Sequence, residues 1–417
     1  MGRALSYVIL LLLACRPVLN QFQEISFGKL GSYELSLLSL WSLIVLGLLV
    51  VRSFWGVVLD YRVKVSGVIF ILYLTMISLP RLSEYGNFVS SYLYIIMIVM
   101  MMMIAHKLFD DLGEDTIISI LSLSSIALIT MHITAFWWDA NYIGMSGLGN
   151  YLGAFSSKHI AAYSFIVLIP FVYLKYVKSD SYFWLLILIL NVAFLISAFQ
   201  RTEILSFIIG VSVILIILKK KRNVFYLIPF VMVILLLIPE SYFETFVQEK
   251  ILAEVDKLGS GDIERAGAGR VGLILEGLRI YFYELSLVEK LIGAGSGYAN
   301  LTHLRVVGHL TYAHLQFIQF IIDLGIFGLI LCTIFVLQVF VVKLRMYRFN
   351  SSRLNMIAIT YLIVFACEFI YTMPFQNGGT FLITALLAFS PAKKIIGLNK
   401  NANRENFMNV LNNNRGV

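Results

Sequence analysis

Arg201, Arg270 and His314 are the residues of this 417-residue chain best suited to chemistry. Arg201 closes an apolar run within FQRTE, Arg270 stands in the glycine-rich turn GAGR, and His314 opens another apolar run. Titratable groups beside apolar spans are costly to keep there, so each is a functional candidate. A guanidinium offers a planar fork of N–H donors that grips two phosphate oxygens at once. An imidazole, with an ordinary pKa of about 6.5, takes a proton from a hydroxyl near neutral pH. Together they are groups able to bind an anion and to move a proton. Gly267 and Gly269 would let the backbone beside Arg270 come close to phosphate. Plainer roles stand beside these. An arginine at a helix end also snorkels to the interface, and a lone histidine also serves as a satisfied buried group.

A second set, Arg279, Arg305, His309 and Lys158, would bind substrate, with surface solvation as the plainer alternative. His303, His309 and His314 are spaced by six and five, which does not place ligands on one helix face. Cys15, Cys332 and Cys367 lie in apolar runs and form neither a disulfide framework nor a metal spacing. No metal and no cofactor is therefore expected.

The elements that must position these groups follow from composition. Hydrophobic residues make up 59% of the chain and charged residues 13%. A soluble domain carries roughly 25% charged residues, so this chain could not cover itself with a water-compatible surface. Apolar runs recur near 4–20, 35–51, 65–80, 88–105, 116–137, 160–177, 182–199, 204–218, 223–239, 311–342, 354–372 and 380–392. Each approaches the length needed to cross about 30 Å of hydrocarbon. In lipid every backbone amide needs an internal partner, so the runs are helices, and the alternation of a barrel is missing. The expected fold is an all-α integral membrane protein of about twelve spans. Residues 1–394 form the transmembrane domain, and 395–417 form a polar, Asn-rich tail expected to be disordered.

Basic residues follow the even-numbered spans: Arg52, Arg62 and Lys64, Lys107, Lys175 and Lys178, Lys219 to Arg222, Lys343 to Arg353, then Lys393 and Lys394. With Arg3 and the tail, that side holds 20 of the 32 basic residues, which places both termini in the cytoplasm by the positive-inside rule. The net charge of +8 thus reflects topology rather than nucleic acid. Two long loops face the other side, about 138–159 and about 240–310. In the larger, 243–257 reads as a surface amphipathic helix and 271–291 as a second helix. LLAC at 12–15 mimics a lipoprotein cleavage site, but the thin basic n-region and Arg16-Pro17 favour an uncleaved first span.

Along the tenth span, His314, Ile321, Gly325, Gly328 and Cys332 fall within about 60° on a helix wheel, a small-residue seam with the histidine at its outer end. Segment 314–328, HLQFIQFIIDLGIFG, resembles the signature of the O-antigen polymerase and O-antigen ligase superfamily. His314, Gln319, Asp323, Gly325 and Gly328 match in register, while the family's asparagine after the histidine is Leu315 here. Segment 267–296, from GAGRVGLILEGL to LIGAGSG, resembles its Gly-Arg stretch and Gly-x-Gly turn, with Ile274 in place of the family's tryptophan. SAFQRTE, 197–203, resembles its Ser-Arg motif.

The resemblance implies metal-independent glycosyl transfer at the periplasmic face of a bacterial inner membrane. Donor and acceptor would be undecaprenyl-diphosphate-linked oligosaccharides within membrane lipid, with a chain-length regulator protein as a further partner and no nucleic acid. Arg201 and Arg270 would hold the donor diphosphate and His314 would act on the acceptor. A polymerase joining repeat units is the first expectation, and a ligase moving the glycan to lipid A-core is the alternative. A transporter of lipid-linked sugar predicts two related halves and mid-membrane acids. No repeat is visible, and only Asp323 and Glu368 are deep enough to count.

Overall fold

The computed structural model describes residues 2–22, 25–30, 33–54, 61–81, 86–135, 155, 158–198, 208, 270–295, 297–308, 316–349, 357–364 and 378–387. Arg201, His309, His314, the stretch 204–239 apart from residue 208, the helix expected over 243–257 and the tail from 395 lie outside the described residues.

The described chain is helical apart from one small hairpin. Helices α1 (Gly2–Leu19), α2 (Leu37–Phe54), α3 (Tyr61–Ser78), α4 (Gly86–Leu112) and α5 (Glu114–Thr134) come first. Then come α6 (Lys158–Ile166), α7 (Ile169–Ser179) and α8 (Tyr182–Ser197). After the undescribed stretch follow α9 (Arg270–Arg279), α10 (Leu287–Ile292), α11 (Asn300–Val307), α12 (Gln316–Asp323), α13 (Gly325–Phe349) and α14 (Gly378–Leu387). Among the described residues five stretches are long and apolar enough to cross a membrane: Gly2–Phe22, Tyr92–Leu112, Glu114–Thr134, His159–Ser179 and Gly325–Arg345. Leu37–Ser53, Val63–Ser78 and Tyr182–Ser197 are shorter apolar helices. This is the make-up of an all-α membrane protein.

Three details depart from the sequence expectation. The connector after α1 forms an antiparallel hairpin, β1 (Ser26–Leu30) and β2 (Tyr33–Ser36), with Lys29 opposite Glu34. The sixth span is broken into α6 and α7. Pro170, in the first turn of α7, has no N–H to offer the Ile166 carbonyl. The hydroxyl of buried Tyr361 donates to that carbonyl instead, so the break leaves no orphan acceptor in the apolar interior. The tenth span is likewise two helices, divided at Leu324–Gly325 (below).

The main core runs through α1 to α8, α13 and α14, with buried residues including Ile9, Leu13, Met101, Phe165 and Phe171. Two polar pairs lie inside it: Asn20 with Ser164 at 2.9 Å, and Asn191 with Ser125 at 2.6 Å. His132 is boxed by the rings of Phe155, Phe165 and Phe194, with centroids 5.9, 5.2 and 4.6 Å away.

One end of the bundle is stapled by charge. Arg52, at the end of α2, lies 2.6 Å from Asp111 near the end of α4. Ser6 from the start of α1 donates to the same carboxylate at 2.7 Å, and Lys107 stands 3.4 Å from its other oxygen. Lys178 at the end of α7 pairs with Glu114 and Asp115 at the start of α5. The Arg52 side chain is 1% exposed, so its charge depends on Asp111. Removing one partner of a buried pair costs about 3–5 kcal/mol. Asp111→Ala is therefore expected to lower the thermal unfolding midpoint of detergent-purified protein far more than Asp115→Ala, whose carboxylate is 86% exposed.

Candidate functional site

A second, smaller core lies beside the main one, built from α9, α12 and the chain between them. Ile280, Tyr281, Leu285, Ala294, Ala299, Ile318 and Ile322 fill it. Gly277 lets α9 lie directly on α12, since a Cβ there would overlap the Ile318 side chain. Residues 280–284 form a single π-helical turn, so the stretch expected as one helix over 271–291 is instead α9, that turn and α10. Ser286 starts α10 with a capping box: its hydroxyl accepts from the Glu289 N–H while the Glu289 carboxylate accepts from the Ser286 N–H at 2.8 Å.

The two cores meet where α12 ends and α13 begins. Asp323, fully buried, is the hub. Its Oδ1 accepts the Ala299 N–H at 2.7 Å. Its Oδ2 accepts the Tyr92 hydroxyl at 2.6 Å, the Gly297 N–H at 3.1 Å and the Gln319 side-chain amide. The Ala299 and Gly297 amides sit at the start of α11, where backbone N–H groups lack helical acceptors, so the carboxylate answers donors that would otherwise be orphaned. The main chain joins as well. Ala294 and Gly295 donate to the Ile322 and Asp323 carbonyls, each at 3.0 Å. The Tyr73 hydroxyl lies 2.7 Å from the Ile292 carbonyl and 2.6 Å from that of Leu324, its single proton shared between them.

This clasp requires two glycines. Gly293 has φ 92° and Gly325 has φ 66°, both in the left-handed region. A Cβ on Gly293 would overlap the Asp323 carbonyl oxygen, and one on Gly325 would overlap the Gly293 nitrogen. The backbones touch, and no side chain fits between them. The helix-wheel seam from His314 to Cys332 therefore does not run along one helix: Gly325 starts a new one, and its smallness serves the Gly293 contact.

Four of the sequence-derived candidates fall among the described residues. Arg270 is the first residue of α9, and Lys158 is the first of α6. Arg201, His309 and His314 lie outside the described residues. Arg279 and Arg305 come together with two acids. Arg279 binds Glu276 through Nε at 2.7 Å and Nη2 at 2.9 Å and also reaches Glu284; Arg305 binds Glu284 and stands 3.3 Å from Glu276. The quartet is neutral overall. The hydrogen bond from Arg279 holds the Glu276 carboxyl below its usual range, and that from Arg305 does the same for Glu284. Bonding to Glu276 first, then the charge of both acids, raises the already high pKa of Arg279.

Sequence reasoning singled out Asp323 as a motif position and as a deep acid, and Arg16 only as punctuation after Cys15. Arg16 is 4% exposed, its guanidinium 4.7 Å from the Trp41 ring centre and 5.7 Å from that of Tyr94. An arginine inside an apolar run was the signal available for it. Two amides near the clasp are notable: Asn300 is fully buried with neither side-chain polar atom hydrogen-bonded, and the Gln319 oxygen is likewise without a partner. Among the described residues no cluster of three His, Cys, Asp or Glu could hold a metal ion.

No protein-family model matches the chain, and no curated protein matches it.

Two outcomes follow. Gly293→Ala and Gly325→Ala should each unfold or mislocalise the protein. Gly308→Ala, at φ 86° but in open space, should cost only about 1–2 kcal/mol for the left-handed backbone and retain a normal elution profile. For the quartet, both carboxylates have lowered folded-state pKa values. Their stabilisation is present above the unfolded value of about 4.3 and is lost as pH falls through the folded one. Glu276→Gln should flatten the acid limb of a pH–unfolding curve without altering its neutral plateau shape.

Proposed function

We propose that this protein is a membrane-embedded glycosyltransferase that joins undecaprenyl-diphosphate-linked oligosaccharide repeat units, an O-antigen polymerase working at the periplasmic face of the inner membrane. One observation carries the reading. Two stretches on which the superfamily resemblance rests, the Gly-x-Gly turn at 293–297 and the Gln319–Asp323–Gly325 series, are separate in sequence, with Gly297 and Asp323 26 residues apart, yet form one hydrogen-bonded unit. Arg270, from the same resemblance, opens the helix that packs on α12. Residues that meet in this way have a common reason to occur together.

In the proposed reaction the acceptor sugar hydroxyl loses its proton to His314. Its oxygen attacks the anomeric carbon of the donor, and the bond from that carbon to the diphosphate oxygen breaks. The electron pair leaves with undecaprenyl diphosphate, whose gathering charge is met by Arg201 and Arg270. A single displacement inverts the anomeric configuration. In this reading guanidinium groups do the work a divalent cation would do elsewhere.

Arg201→Lys, Arg270→Lys and His314→Ala are each expected to abolish chain growth at unchanged protein level, because lysine keeps the charge but loses the two-pronged grip. The check is glycan length on gels from complemented deletion cells. A deletion strain carrying a single repeat unit on lipid A-core fits the polymerase; one carrying none shifts the assignment to the ligase. Purified protein that moves lipid-linked sugar across vesicles without forming a glycosidic bond would replace both with a transporter.

A further inference from the structure

Helix α10 is six residues long, LVEKLI, and none of the six is buried. With the preceding π turn it displays Phe282, Tyr283, Leu287, Val288, Leu291 and Ile292 on the surface, Tyr283 at 84% exposure and Leu287 at 74%. Six large apolar side chains within eleven residues make a patch that a water-facing loop rarely carries. The charges between them are engaged within the protein. Lys290 donates to the Phe282 carbonyl at 2.8 Å, Glu289 is occupied by the Ser286 cap, and Glu284 pairs with Arg279 and Arg305.

The depth of this patch can be read from its neighbours. Helices α3 and α13 run antiparallel, pinned by Ser66 to Gln338 at 2.6 Å, by the Phe70 and Phe335 rings at 6.5 Å, and by Tyr73 to the Leu324 carbonyl. The same Tyr73 hydroxyl reaches the Ile292 carbonyl at the end of α10. Tyr73 is five residues short of the end of α3, about 7.5 Å along the axis. Beyond it α3 still exposes apolar Met76, at 73%, and Leu79 just follows. The end of α10 is therefore no farther out than surface that is itself apolar.

Helix α13 gives the same level. Between Asp323 and Lys343 it carries no charge, and twenty residues of helix span about 30 Å, the thickness of the hydrocarbon core. Its exposed stripe, Ile326, Ile330, Ile334 and Leu337 among others, would face lipid tails. At the top of that stripe the Gly293–Gly325 contact joins α10 directly to α13.

We propose that residues 282–292 are embedded in the interfacial layer of the bilayer, with lipid as their partner, so that this part of the large loop lies in the membrane surface and not in the water above it. The apolar face of α10 continues the lipid-facing stripe of α13, and Phe282 and Tyr283 take the headgroup level that aromatic belts occupy. The Gly293–Gly297 turn is then held at the depth of lipid phosphates. If the transferase reading is right, that is where a polyprenyl diphosphate presents its leaving group. The placement itself does not depend on that reading.

The test uses the unmodified chain in nanodiscs of phosphatidylethanolamine and phosphatidylglycerol containing a phospholipid with a photoactivatable diazirine near the headgroup. After illumination, peptides covering 282–292 should carry lipid adducts at least as heavily as those covering 326–341. A second measurement places a fluorophore on single cysteines in a chain lacking Cys15, Cys332 and Cys367. Val288→Cys and Tyr283→Cys should be quenched about threefold or more above Asp115→Cys by shallow nitroxide lipids, and protected from aqueous iodide. Iodide quenching equal to Asp115→Cys with no lipid adducts overturns the proposal in favour of a water-facing loop. Protection from both quenchers, with cross-linking between Val288→Cys protomers, overturns it in favour of a second copy of this chain.

Discussion

A polypeptide that interrupts a helix at the edge of a membrane exposes amide and carbonyl groups that lipid cannot answer. In this protein the break between α12 and α13 is answered almost entirely by one carboxylate and two glycines. Asp323 receives the N–H groups at the start of α11, the Tyr92 hydroxyl from α4 and the Gln319 amide from its own helix. Gly293 and Gly325 bring the two main chains into contact so that Ile322 and Asp323 can accept from Ala294 and Gly295. Charge-assisted hydrogen bonds are worth about 1.5–3 kcal/mol each, and losing the acceptor would strand several buried donors at once. The second core, the junction with α3 through Tyr73 and the order of α9 over α12 all rest on this clasp.

The break at Pro170 shows the same constraint met by a different device. There the missing partner is a single N–H, and a single tyrosine hydroxyl from the 357–364 helix replaces it. Where one acceptor is orphaned, one side chain suffices; where a whole loop must dock, a multivalent anion is needed. The opposite end of the bundle uses Asp111 in a comparable way, with Ser6, Arg52 and Lys107 converging on it. Both acids gather elements distant in sequence, and both sit where a helix ends.

The sequence made the helices legible because lipid leaves no alternative to them, and the charge pattern made their ends legible. Arg52, Lys107, Lys175 and Lys178 were marked as end residues by charge alone; the structure places Arg52 and Lys178 in the last turns of their helices, while α4 and α7 run on past Lys107 and Lys175. The hairpin at 26–36 was not legible, since its short strands show no run of alternation. Nor was the division of the tenth span, because a left-handed Gly325 and a packing glycine look the same in sequence, whereas the break in the sixth falls at Pro170, a signal the sequence does carry. The motif spacing found Asp323 but suggested nothing of its role, which depends on backbone amides that no side-chain pattern records. Of Arg201, Arg270 and His314, the three residues proposed for catalysis, only Arg270 falls among the described residues, at the start of α9.

The arginines that the structure does show are already engaged. Arg279 and Arg305 hold two carboxylates in a neutral set. The carboxylates keep both guanidinium groups oriented, and the pairing leaves no net charge on that part of the surface. On the proposed function, a diphosphate reaching this set would have to displace Glu276 or Glu284 from it. A ligand with several oxygens is suited to that, because it can engage both forks at once.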